Sequence, residues 1–315
     1  MTGFASGTLD AEMQAYVKKV DSLYPPDAVN LDMAGQRRVY RDLCNAFAPP
    51  YPKGVTVVTS SVPGKAGPVP IRRYTPAGGA GAATVIYYHG GGFVVGNLDS
   101  HDSVCAELAD GSGLTVVAVD YRLAPEHVHP AHYDDALSAL EAIAAEGQPV
   151  IVSGDSAGGN LAAAVSIAAR GTAYAPIGQL LIYPGLGGDT LGLASYRDNA
   201  EAVHLTVKDL DFYKRARAGG EPPMEDWTYA PLAIADYRGL PPCIAISADI
   251  DPLRDDCDVW VQRLKSAGVP AVWINEPGLV HGYLRARLMS SKAKASFARI
   301  VEGLRALAAG RAIGA

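Results

Sequence analysis

The residues best suited to chemistry sit in the stretch Gly154-Asp-Ser-Ala-Gly158-Gly159. The apolar run PVIVS precedes it and the alanine-rich run NLAAAVSIAA follows it. Ser156 therefore stands where a strand turns sharply into a helix. A nucleophile at such a turn takes a strained backbone. Glycines two positions to either side remove the side chains that would collide there. The hydroxyl is then lifted above the strand ends, beside a helix N-terminus with unpaired N–H groups and a partial positive charge.

A serine hydroxyl needs a base to take its proton and a carboxylate to orient that base. In this strand–turn–helix context the chain order is serine, acid, histidine. Two histidines follow Ser156, namely His204 and His281. His281 lies just past the last strand, next to Gly282, and is the expected base. The acid is expected after the strand CIAISA, which runs into Asp249-Ile-Asp251-Pro252. The strand period of two points Asp249 and Asp251 the same way, and Asp251 stands further out, where the loop begins. Asp251 is the expected acid, with Asp255 in reserve. Backbone N–H groups must meet the oxyanion of the intermediate. Ala157 supplies one, and the loop Tyr88-His-Gly-Gly-Gly-Phe93 supplies the others, expected from Gly90 and Gly91. Phe93 and Val94 are expected to line the pocket, and Phe212 and Tyr213 to face substrate from a helix above it.

The elements that must hold these residues are legible as eight β-rich runs, near 55–60, 68–74, 83–88, 114–120, 149–153, 179–183, 243–249 and 271–276. The first two, close together, suit a hairpin or an antiparallel edge. Helical patterns separate most of the others, near 101–110, 134–146, 158–170, 254–267 and 290–309. Strand–helix alternation predicts an α/β fold with a mostly parallel sheet and helices on both faces. Strands reading VVAV and VIVS are apolar on both faces, as buried parallel strands are. Residues 1–50 hold two helical patterns and no strand, and residues 185–235 interrupt the alternation with a helix expected at 206–217. Both regions are expected to cap the carboxyl ends of the strands, with residues 51–315 forming the catalytic domain.

Composition is that of a globular chain: 315 residues, 49% hydrophobic, 19% charged, net charge −6. No basic cluster points to nucleic acid or an anionic membrane. No apolar run reaches the length of a membrane span, and the N-terminus lacks a basic segment followed by an apolar stretch, so a cytoplasmic location is expected. Cys44, Cys105, Cys243 and Cys257 are too scattered for a zinc site or a disulfide framework, and read as buried thiols. The glycine triplet lacks the following lysine of a phosphate loop.

Taken together, His89-Gly-Gly-Gly-Phe93, DYRLAPEH at 120–127, GDSAGG at 154–159, DPLRDD at 251–256 and His281-Gly-Tyr283 resemble the bacterial hormone-sensitive-lipase-like (family IV) carboxylesterases of the α/β-hydrolase superfamily. The resemblance covers residues 80–315 strongly. It implies Ser156, Asp251 and His281 as a triad, Gly90, Gly91 and Ala157 as oxyanion donors, a small short-chain acyl ester as substrate, and no cofactor. It implies that the N-terminal helices cap the pocket, that Glu126 holds loops by hydrogen bonds, and that His127, His129 and His132 are surface or packing residues rather than metal ligands. The family includes monomers and homodimers. Its members often continue the acid motif as Asp-Glu-Gly, where this chain has Asp255-Asp256-Cys257. Two other readings use the same fold: an amidase or deacetylase on the same triad, and a ligand-binding receptor, a class that lacks the histidine present here as His281.

Overall fold

The apolar runs assemble into one eight-stranded sheet in a computed structural model that describes residues 9–25, 31–187 and 192–311. The strands are β1 (Thr56–Val62), β2 (Val69–Thr75), β3 (Thr84–Tyr88), β4 (Thr115–Val119), β5 (Val150–Asp155), β6 (Gly178–Ile182), β7 (Cys243–Ile250) and β8 (Ala271–Val280). Their spatial order is β1-β2-β4-β3-β5-β6-β7-β8. β1 and β2 form the expected antiparallel hairpin, and β2 also runs antiparallel to β4. Every other pairing is parallel.

Two apolar layers cover the sheet, and the pleat sorts residues between them. In β3, Ile86 and Tyr88 enter one layer while Val85 and Tyr87 enter the other. The first layer is closed by α4 (Ala131–Ala144), α5 (Ala157–Ala169) and α8 (Arg254–Ser266). The second is closed by α3 (Asp102–Ser112), α9 (Ser291–Ala308) and α1 (Ala11–Leu23). α5 is buried on almost every side, which explains why its sequence is apolar all round.

The segments that break the alternation gather at the carboxyl ends of the parallel strands. From α1, the Tyr16 hydroxyl donates to the Gly282 carbonyl at 3.3 Å. From α2 (Met33–Asn45), Arg37 donates to the carbonyls of Val94 and Ala124 and forms a two-pronged pair with Glu126. Glu126 is expected to hold loops by hydrogen bonds; among the described residues it bonds only Arg37, and that arginine on α2 binds the loops through their carbonyls. Between β6 and β7 lie α6 (Ala194–Asp198) and α7 (Val207–Ala218), the latter opened by a reciprocal Thr206–Asp209 cap. α6 spans five residues, too short to leave a periodic signal in the sequence. Among the described residues, no helix is long and apolar enough to cross a membrane, and all four cysteines are buried and unpaired.

Ile86, fully buried at the centre of the sheet, gives a test of this packing. Ile86→Ala is expected to cost about 2–5 kcal/mol. The urea midpoint should fall with the slope of the transition unchanged.

Candidate active site

Ser156 follows β5 directly and caps α5 with φ 54° and ψ −116°, a backbone that side-chain-bearing residues seldom adopt. Its N–H donates to the Ile182 carbonyl at 2.9 Å, which pins the turn to β6. The flanking glycines are required by close approach. A Cβ on Gly154 or Gly158 would collide with the Tyr88 carbonyl of β3. The turn carrying the serine is therefore pressed against the loop that follows β3.

His281 follows β8 directly. Its Nε2 lies 2.9 Å from Ser156 Oγ and its Nδ1 lies 2.7 Å from Asp251 Oδ2. Asp251 is completely buried, and its other oxygen accepts the Leu253 N–H at 2.9 Å. A carboxylate only accepts, so Nδ1 carries the proton and the Nε2 lone pair faces the serine hydroxyl. The Tyr183 ring packs edge-on against the imidazole and fixes its plane.

The other carboxylates nearby are engaged elsewhere. Asp249 does not point with Asp251, because a bulge between Ala248 and Ile250 breaks the strand period. It binds Asn275 and the Gly278 N–H instead. Asp255 accepts the Ser195 N–H and pairs with Arg254. Asp256 accepts the Leu186 N–H at 2.6 Å.

The glycine loop corrects one expectation. Gly90 donates its N–H to Asp155 Oδ1 at 3.0 Å, so this donor is already taken and points away from Ser156. Gly91 and Gly92 line the cavity above Ser156 together with Ala157, and no backbone carbonyl among the described residues accepts from either N–H. Both have positive φ, at 128° and 61°. His89 Nδ1 lies 2.8 Å from the Gly90 carbonyl, and Tyr121 donates to the His89 carbonyl at 2.6 Å, which holds the loop in shape. Burial, then the neighbouring His101, pushes the His89 pKa down to about 3, so its ring is neutral.

Asp155, adjacent to the serine, is the hidden support of this arrangement. Its carboxylate also accepts from Tyr87 at 2.8 Å and lies 3.3 Å from His101 Nε2. Burial alone would raise its pKa. The His101 and Tyr87 contacts and the charge of Arg285 outweigh burial and hold it below the ordinary carboxylate range. Sequence reading missed Asp155 because it looked like a spacer inside the glycine motif.

The pocket residues divide. Phe93 lines the cavity, packed beneath the Arg217 guanidinium at 3.7 Å from its ring centre. Tyr213 also lines it, and its ring lies where a Cβ on Gly92 would stand. Val94 does not line it. It is buried behind the loop with Val95 and Ala124. Phe212 does not line it either. It sits one residue from Tyr213 on α7, about 100° around the helix, and is 51% exposed. His204, the other histidine after Ser156, lines the cavity without bonding the serine. His129 bonds Asp226 and Thr228, His132 accepts from Arg217, and His127 is exposed. Among the described residues, no group of three or more His, Cys, Asp or Glu is placed to hold a metal ion.

A family model described as the alpha/beta hydrolase fold matches residues 85–285. The chain belongs to that family. Within it, the chain stands with the bacterial hormone-sensitive-lipase-like carboxylesterases. It is 42% identical to the esterase LipI of Mycobacterium tuberculosis over 243 residues, which is 72% of this hydrolase and 75% of that protein. It is 33% identical to an ethyl acetate hydrolase of Pseudomonas putida, over 75% of this chain and 78% of the other. Among solved structures it superposes on an ester hydrolase from the metagenome of Lake Arreo, solved with a bipyridine phosphonate derivative. The TM-score is 0.88 and the identity 32%, covering 96% of this hydrolase and 99% of that chain.

Asp155→Asn tests the buried support of the hydrolase. A carboxylate with a depressed pKa stabilises the fold above its ordinary titration range, and that stability is lost as pH falls through the depressed value. The variant should lose about 1–3 kcal/mol at pH 7. In urea melts, the gap between wild type and variant should shrink as pH drops below the usual aspartate range. A gap independent of pH contradicts the assignment.

Proposed function

We propose that this hydrolase cleaves short-chain carboxylic esters through a serine acyl-enzyme. The observation that carries the proposal is the single imidazole bonded to both Ser156 and Asp251. His281 Nε2 takes the Ser156 proton as Oγ attacks the ester carbonyl. The oxyanion that forms is met by the N–H groups of Gly91, Gly92 and Ala157. The imidazolium, facing the Asp251 carboxylate, passes its proton to the leaving alcohol as the C–O bond breaks. Water then repeats the sequence on the acyl-enzyme, releasing the acid and restoring the serine.

The short-chain preference is supported by a cavity of about 160 Å³ above Ser156. The name of the Pseudomonas relative, an ethyl acetate hydrolase, points the same way. The cap is read as α1, α2 and the segment between β6 and β7: Tyr40 of α2 and His204, Leu210 and Tyr213 of the segment wall the cavity, and α1 braces it through the bond from Tyr16 to the Gly282 carbonyl. An ester is preferred to an amide as the substrate class on the names of the relatives, and matched ester and amide substrates check this.

Ser156→Ala should lower kcat on p-nitrophenyl butyrate by about 10⁶-fold. Asp251→Asn should lower it by about 10⁴-fold, because the amide would favour the wrong histidine tautomer. Across p-nitrophenyl esters, kcat/KM should peak between acetate and hexanoate and fall steeply by decanoate. A fully active Ser156→Ala protein, or a peak at long chains, contradicts the reading.

A further inference from the structure

The cavity over Ser156 carries a positive charge that the ester chemistry does not use. Arg285 follows the proposed base by four residues and lines the cavity. Its guanidinium folds back over Gly282, where an added Cβ would meet it. Its hydrogen-bond partners are neutral: the Tyr40 hydroxyl at 3.3 Å and the Cys44 sulfur at 3.8 Å. Its Nε is buried with no acceptor. Among the described residues no carboxylate forms an ion pair with it, although its charge reaches Asp155.

The neighbouring arginines are treated differently. Arg287, two residues on, is buried against Glu107 and Ser103. Arg217 also borders the cavity, but its donors are spent on the carbonyls of Thr228 and Tyr229 and on His132. Asp155 is the one acidic residue among the described residues that line the cavity, and Tyr87, Gly90 and His101 occupy it. Anchoring α2 to the loop after β8 would need only a neutral donor. Asp155 feels the Arg285 charge but forms no ion pair with it, and a partly desolvated guanidinium without a paired counter-charge is costly to keep unless an anion arrives to meet it.

A second group on the same wall is also unspent. Both ring nitrogens of His204 are buried, and apart from a weak contact with the His281 backbone neither has a partner; its own backbone holds φ at 69°. Burial, then the charges of Arg285 and His281, pushes its pKa down to about 3, so it offers a neutral N–H beside the cation.

We propose that the cavity selects short esters bearing a free carboxylate, which the Arg285 guanidinium binds beside Tyr40 and His204 while Ser156 attacks the ester. A planar guanidinium matches a carboxylate in geometry as well as charge. This inference rests on the Ser156 esterase reading and narrows its substrate class.

The test is a pH-stat assay at pH 7.5 with two pairs of esters. Monomethyl glutarate is compared with methyl pentanoate, placing the charge on the acyl side. 3-Acetoxypropanoate is compared with butyl acetate, placing it on the alcohol side. For wild type, kcat/KM should favour the charged member of at least one pair by about tenfold or more. Arg285→Met should abolish that ratio, and Arg285→Lys should keep part of it. The readout is the ratio within each protein, so a general loss of activity cancels. If Arg285→Met does not fold, the wild-type ratios still decide. Neutral esters favoured in both pairs, or a charged preference that survives Arg285→Met, overturns the inference. The esterase reading then stands or falls separately, on whether Ser156→Ala is inactive towards methyl pentanoate and butyl acetate.

Discussion

The close approach of two backbones at the carboxyl ends of β3 and β5 governs this molecule. Gly158 lies so near the Tyr88 carbonyl that no side chain fits between them. That contact forces the turn at Ser156 into its strained conformation and brings the serine beside the glycine loop after β3. Three of the proposed catalytic roles follow from one steric fact. The nucleophile is lifted, the N–H of Ala157 is left free at a helix start, and Gly91 and Gly92 face the same space. The strain at Ser156 is held by what surrounds it, notably the bond to β6 and the buried α5.

The polar support beneath the site shares this economy. Asp155 binds the Gly90 N–H, Tyr87 and His101 at once, so a single buried carboxylate joins the nucleophile turn, the glycine loop and the start of α3. At the other end of the site, β8 delivers His281, and α1 and α2 seal its loop through Tyr16, Tyr40 and Arg285. Of the two helices at the start of the chain, α2 brings Tyr40 to the cavity wall, while α1 reaches only the loop after β8.

Central strands such as β4 and β5 were legible because buried parallel strands are apolar on both faces, and the exposed antiparallel β1 because its β-branched run is bounded by turn residues. Ser156, Asp251 and His281 were legible because their order and flanking glycines reflect steric needs. Local pattern misled where distant contacts decide. Gly90 looked equivalent to its neighbours until a carboxylate 65 residues away was seen to claim its N–H. A period of two could not foresee the bulge that turns Asp249 from Asp251. Phe212 and Tyr213 are adjacent in sequence, and only the packing of α7 tells which one meets the cavity. Arg285 carried no motif at all, and its lack of an ion pair exists only in three dimensions.

The central claim is that the serine is made nucleophilic by the imidazole beside it. Fluorophosphonate labelling at pH 7.5, followed by peptide mass spectrometry, measures this without reference to any substrate. The account predicts one adduct per chain, on Ser156, formed rapidly by wild type and barely at all by His281→Gln. Labelling on another residue, or equal rates for the two proteins, would contradict it.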